Sequence, residues 1–233
     1  MVDLKEKVIV ITGGGTGLGR EVVLEAVKHG AKVSICVRSE SHVKRLNEDL
    51  SSFPGQFLVT LADASVEADV QRFVQATLST FGQIDILVNN AAIFENYNVV
   101  DSSLESWERH FENNVTSAFL MTRECLSSMK TNKKGRIISV TSGLARVGAS
   151  GFSAYSASKA ALEAFTFTVE EEEHTNGITV AVFNPGVMKT KLQASGDDPK
   201  LVAPYLLAIA SENTLSHSEV ISIEDVKNKM INL

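Results

Sequence analysis

The chain of 233 residues holds only two cysteines, Cys36 and Cys125. They fall in stretches that read as a strand and a helix, so no disulfide framework is expected and a reducing, cytoplasmic compartment fits. Positive charge is also scarce. The formal net charge is -6, which excludes the basic footprint of a nucleic-acid binder. No run approaches ~18 apolar residues, so no membrane-spanning helix is expected. Met1 to Lys7 is charged, and no apolar run of signal-peptide length follows it. The histidines, His29, His42, His110, His174 and His217, show no metal-ligand spacing, and no metal is expected. What remains is ordinary for a globular protein, with 44% hydrophobic and 21% charged residues. The length suits one α/β domain spanning 1–233, without a linker or a repeat.

Short β-branched runs alternate with longer amphipathic stretches. Strands are predicted at Lys7 to Thr12, Lys32 to Val37, Gln56 to Leu61, Ile84 to Val88, Gly135 to Val140, Ile178 to Phe183 and Glu219 to Ile223. Helices are predicted at Gly17 to His29, Glu40 to Leu50, Val66 to Phe81, Leu104 to Met129, Phe152 to His174 and Lys200 to Ser211. The tail from Asp225 to Leu233 carries no motif. Strands alternating with helices imply a parallel sheet covered on both faces. A glycine-rich first turn makes this the doubly wound dinucleotide-binding fold, with strand order 3-2-1-4-5-6-7.

That turn reads Thr12-Gly13-Gly14-Gly15-Thr16-Gly17-Leu18-Gly19. Glycines there let the backbone approach a pyrophosphate at a helix N-terminus. The spacing is T-G-x-x-x-G-x-G. It is not the common G-x-G-x-x-G, because Arg20 stands three residues past Gly17. A second feature is Tyr155-x-x-x-Lys159, two side chains on one helix face. A free tyrosine has a pKa near ~10 and exchanges protons poorly at neutral pH. An ammonium at ~4 Å and an effective dielectric of ~20 favours the phenolate by about 4 kcal/mol, roughly three pKa units. A tyrosine so tuned can trade a proton with an alcohol or a ketone.

Together these motifs resemble the short-chain dehydrogenase/reductase family, of the 3-oxoacyl reductase-like type. Other family motifs follow in order over residues 5 to 223. Asn89-Asn90-Ala91-Ala92 resembles the family's N-N-A-G, with Ala92 in place of glycine. Asn114-Val115-Thr116-Ser117 resembles the segment bearing the helix-borne asparagine, and Ser142 precedes Tyr155 by thirteen residues. Pro185-Gly186-Val187, with Thr190 beyond, resembles the nicotinamide-side loop. The resemblance implies that Tyr155 is the general acid in reduction and the base in oxidation. It implies that Lys159 lowers the tyrosine pKa and holds the nicotinamide ribose. Ser142 would bond the substrate oxygen, and Asn114 would anchor a water leading from Lys159 to solvent. The dinucleotide would rest on Gly13, Gly15, Thr16, Gly17, Leu18, Gly19, Asn90 and Ala91. Asp63 and Ala64 would meet the adenine.

The end of the second strand bears on the cofactor. A carboxylate there would bind the adenosine ribose and repel a 2′-phosphate. The chain has Val37, Arg38 and Ser39 instead. A guanidinium fork and a hydroxyl suit a phosphate, so NADP(H) is expected ahead of NAD(H). Phe94, Glu95 and Tyr97, just past the N-N-A-A turn, are expected near the substrate. The segment from Thr190 to Lys200 is short and polar, which implies an open mouth. The run Glu170 to Glu173 reads as a solvated face, and Trp107 as a packing residue.

The expected activity is NADPH-dependent reduction of a ketone or aldehyde, reversible in principle, in a homodimer or homotetramer. The substrate class stays open between a 3-oxoacyl thioester, a small ketone and a secondary-metabolite carbonyl. A redox-silent dinucleotide sensor or scaffold is the alternative. An epimerase or dehydratase on the same fold needs a larger substrate domain than this length allows.

Overall fold

A computed structural model describes residues 3–189, 195–211 and 219–231. Strands β1 (Val8–Thr12), β2 (Lys32–Val37), β3 (Phe57–Leu61), β4 (Ile86–Asn89), β5 (Gly135–Val140), β6 (Ile178–Asn184) and β7 (Val220–Ser222) form one sheet in the order 3-2-1-4-5-6-7. All neighbouring pairs are parallel. Between them run α1 (Gly17–Lys28), α2 (Glu40–Asp49), α3 (Glu67–Phe81), α4 (Leu104–Phe111), α5 (Ser117–Asn132), α6 (Ser153–Glu173), α7 (Pro199–Ser211) and α8 (Ile223–Ile231).

Side chains alternate across the sheet and feed two cores, because successive Cβ atoms of a strand point to opposite faces. Ile9, Ile11, Ile35, Val88 and Phe183 join one core with α1, α7 and the start of α8. Val10, Cys36, Leu87 and Val180 join the other with α3 and α5. A strand buried on both faces must be continuously apolar, and β1, Val-Ile-Val-Ile-Thr, is buried throughout.

Several sequence expectations need correction. The helix expected from Leu104 to Met129 is broken by a π-helical segment at Glu112–Thr116. The extra residue in that turn carries Asn114, whose side chain is pulled away from the helix to bond the turn after β4. Such bulges recur at functional sites. The tail is helical, and its signal was present: Ser222 and Asp225 cap one another. The Ser222 amide and hydroxyl donate to the Asp225 carboxylate at 2.8 and 2.6 Å, and the Asp225 amide donates to the Ser222 hydroxyl at 3.2 Å. The glutamate run splits. Glu170 and Glu173 are buried, while Glu171 and Glu172 face solvent. Burial would raise the Glu173 carboxyl pKa, but bonds from Lys130 and Asn176, both 2.7 Å, outweigh it and lower it. Trp107 packs on Phe111 with ring centroids 5.1 Å apart, yet stays 40% exposed.

Candidate active site

The order of the sheet reverses between β1 and β4, and the site lies beyond their carboxyl ends. The Thr12 hydroxyl ties the two ends together. It accepts the amides of Asn90 and Ala91 at 3.0 and 2.9 Å. The Asn90 side-chain amide donates to the carbonyl oxygens of Thr12 and Gly13 at 3.0 and 3.3 Å. Gly13 has φ +67°, and a Cβ on it would lie 2.9 Å from the Ala91 Cα. A Cβ on Gly19 would meet the Asn90 amide nitrogen at 2.4 Å and the Gly13 carbonyl oxygen at 2.6 Å. Both glycines are therefore required by close approach of backbone. The turn opens onto the N-terminus of α1, whose first turn holds no acidic residue and whose cap Thr16 makes no side-chain capping bond. These amides are free to meet an anion.

A cleft of about 960 Å³ runs over this turn. Of the expected dinucleotide contacts, Gly13, Gly15, Thr16, Gly17, Leu18, Arg38, Ser39, Asp63, Ala64, Asn90 and Ala91 line it. Gly19 lies behind the wall, against Asn90. Arg38 donates to the Asn113 amide oxygen at 2.7 Å and stands 3.8 Å from the Asp63 carboxylate. The Asp63 carboxylate also accepts the Ser65 amide and hydroxyl at 2.9 and 2.7 Å. The Ser39 hydroxyl pairs with that of Ser41 at 2.6 Å. Open helix amides at one end and a guanidinium at the other give the cleft anion-binding donors at two places. Sequence reasoning missed His42, Arg45, Asn113, Lys189 and Asp198, which also line the cleft. His42 packs its ring on Gly15, a contact no local pattern announces.

Asn114, Ser142, Tyr155 and Lys159 lie outside the lining of that cleft, on the π segment, the loop after β5 and α6. Lys159 is 2% exposed and donates to the Val140 carbonyl oxygen at 2.7 Å. Its nitrogen stands 5.9 Å from the Tyr155 ring centroid. Burial holds the lysine pKa down, to about 8, against the opposing pull of the Glu163 carboxylate. The Tyr155 hydroxyl is pushed up by burial, and a hydrogen bond with Ser142 only partly offsets this. The tyrosine pKa is therefore not lowered in the protein alone, contrary to the sequence expectation. Desolvation is the largest influence on it. Ser142 begins the short 3₁₀ turn Gly143–Ala145, its hydroxyl accepting the Leu144 amide at 3.2 Å.

Asn114 is 1% exposed. Its amide oxygen accepts the Ile93 amide at 2.7 Å, and its nitrogen donates to the Ile93 carbonyl oxygen and the Ser158 hydroxyl at 3.1 and 2.9 Å. Both donors of the side chain are used, so it locks the turn after β4 onto α6. Phe94 stands edge-on to Tyr155, with centroids 4.8 Å apart, and stacks on Phe152 at 4.9 Å. Glu95 turns elsewhere. Its carboxylate takes the Ser106 hydroxyl at 2.7 Å and pairs with Arg109. Tyr97 is 49% exposed and its amide donates to the Gly151 carbonyl oxygen at 2.8 Å.

Pro185 is buried and Gly186 has φ +73°, so the chain turns sharply after β6. Val187 and Met188 then run beside Asp197, whose amide donates to the Val187 carbonyl oxygen at 2.8 Å. Pro185, Gly186 and Val187 do not line the cleft, although Met188 does. Thr190 and His217 lie outside the described residues.

The sequence model of the family described as short chain dehydrogenase matches residues 7–200. A 3-oxoacyl-[acyl-carrier-protein] reductase of Synechocystis is 31% identical over 193 residues, covering 82% of this chain and 78% of that protein. An uncharacterised oxidoreductase of Staphylococcus saprophyticus is 30% identical over 217 residues, covering 87% and 90%. The crystal structure of a short-chain dehydrogenase from Streptomyces avermitilis superposes with a TM-score of 0.83 at 22% identity, over 97% of this chain and 92% of that one, and shows the same fold. With a parallel sheet reversing at a glycine turn, and sequence matches over most of its length, the chain belongs to the short-chain dehydrogenase/reductase family and is an NAD(P)-dependent oxidoreductase.

Proposed function

We propose that this enzyme uses NADPH to reduce a ketone or aldehyde to an alcohol, with Tyr155 as proton donor. The observation that carries this reading is the buried Lys159 ammonium 5.9 Å from the Tyr155 ring centroid, one helical turn from Tyr155. Burial keeps Tyr155 protonated at neutral pH, which is the form an acid needs. With a pKa of about 8, Lys159 is charged at neutral pH and stabilises the phenolate left after proton transfer. Ser142 donates to the substrate oxygen as negative charge grows there. The Asn114 side chain, with its donors committed, acts by holding the Ile93 turn and α6 in register. The dinucleotide, when bound, supplies the hydride. The oxygen then takes its proton from Tyr155, and Tyr155 is reprotonated from solvent.

Arg38 supports the preference for NADPH. It sits on the cleft, half exposed, with no carboxylate at the end of β2 to repel a 2′-phosphate. The Synechocystis relative makes a 3-oxoacyl thioester the first substrate to try. The same proposal holds that residues 1–233 are one domain, that it works in the cytoplasm, and that two or four copies assemble. Two unpaired buried thiols support the compartment, and exposed Trp107 and Phe119 on α4 and α5 support assembly. Light scattering of the purified protein tests the assembly.

The function is tested by following NADPH absorbance against a panel of 3-oxoacyl thioesters, ketones and aldehydes. Turnover of at least one class is expected in the wild type, with loss in Tyr155→Phe. A redox-silent dinucleotide binder would bind NADPH and consume none.

A further inference from the structure

Glu163 stands one helical turn beyond Lys159, and its carboxylate is buried at 7% exposure. A buried carboxylate is costly unless it is bonded and paired. Here it is both. One oxygen accepts the Thr141 hydroxyl at 2.6 Å, and the other accepts the Arg146 guanidinium at 3.1 Å. Those partners bracket the loop that carries Ser142. Thr141 precedes it, and Arg146 closes the 3₁₀ turn that follows. The preceding residue, Val140, accepts the Lys159 ammonium. One face of α6 thus holds the Ser142 loop at three points, through Lys159, Glu163 and Glu163 again.

We propose that Glu163 is a positioning residue for the Ser142 and Lys159 pair, acting through Thr141 and Arg146. The inference rests on the roles given above to Tyr155, Ser142 and Lys159. Glu163 does two things at once. It fixes the loop that aims the Ser142 hydroxyl, and it sets a negative charge near a lysine that burial would otherwise discharge. Other charged groups on the elements packed here are occupied or outward. His110 of α4 is bonded through its two ring nitrogens to the Ser106 carbonyl oxygen and the Glu95 amide. Arg109 is paired with Glu95, Glu112 is exposed, and β6 holds no charged residue. Arg146 faces Glu163 from the loop, with a side chain 59% exposed.

The decisive measurement is the titration of Lys159 by NMR of protein carrying 13Cε-labelled lysine, assigned with Lys159→Met. It needs no turnover. In Glu163→Gln the midpoint is expected to fall by at least about half a pH unit, because the stabilising anion is gone. In Arg146→Ala it is expected to rise, because the anion loses its competing cation. Opposite shifts are the signature of charge acting on Lys159. An unchanged midpoint in both variants, or shifts of the same sign, would overturn the proposal. If Glu163→Gln does not fold, the upward shift in Arg146→Ala, a change at an exposed side chain, decides alone. With a substrate from the panel, the alkaline limb of kcat should move with the midpoint in both variants. Thr141→Val should lower kcat severalfold with the limb in place. A wild type that turns over nothing would remove the functional reading, while the lysine titration would still judge Glu163.

Discussion

The two halves of the site are built differently. The cleft half is made largely of backbone: glycines 13 and 19 pressed against Ala91, Asn90 and the Gly13 carbonyl, and an uncapped helix start. The half proposed for proton transfer is made of side chains held by burial. Lys159 is almost fully enclosed, Asn114 has both donors committed, and Tyr155 is fixed edge-on by Phe94. Backbone recognition tolerates changes in side chains but no added carbon. Side-chain chemistry tolerates neither a lost hydroxyl nor a shifted charge.

The largest expected effect separates the halves outright. Tyr155→Phe should lower kcat by about 10²–10⁴-fold, the usual contribution of a positioned acid. NADPH affinity, read by fluorescence or calorimetry, should stay within a few-fold. A parallel loss of affinity would show that the halves are not separable. Next comes Arg38→Asp. Removing a charge-assisted bond of about 1.5–3 kcal/mol should weaken NADPH roughly tenfold to a hundredfold and leave NADH nearly unaffected. Unchanged catalytic efficiency with NADPH would end the assignment of Arg38.

Smaller but sharper is Gly19→Ala. A methyl group placed 2.4 Å from the Asn90 amide nitrogen forces the β1 and β4 turns apart. Stability in urea should fall by about 1–3 kcal/mol, as for an overpacked core, and both dinucleotides should bind more weakly. The smallest effect concerns pH. Lys159 titrates near 8 when folded and near its ordinary 10.5 when unfolded. Between these values the unfolded chain holds the extra proton, so stability should gain a positive slope as pH rises from about 8 to 10.5. Below that window the burial penalty is fully present and constant. Urea midpoints across the range, compared with Lys159→Met, would isolate the slope. A variant with the same slope would assign it to another group.

Much of this site is legible along the chain because its motifs are local. Thr12 to Gly19 is one turn, and Tyr155 to Lys159 is one turn of helix. The helix break at Glu112–Thr116 was not legible, since a helical pattern of apolar residues does not reveal an inserted residue. Nor was the role of Asn113, which lies next to the motif asparagine and holds Arg38 from 75 positions away. The terminal helix is readable from the Ser222 and Asp225 capping pair, three residues apart at its start.

Local periodicity and spacing by themselves determined the alternating strands and helices and the glycine turn, because each depends on residues within a few positions. Tertiary packing alone decided how deeply Lys159 is buried, which way the Tyr155 pKa moves and what Glu163 touches. Electrostatic energies depend on the solvent excluded by distant segments, and no stretch of sequence records how much water its neighbours remove.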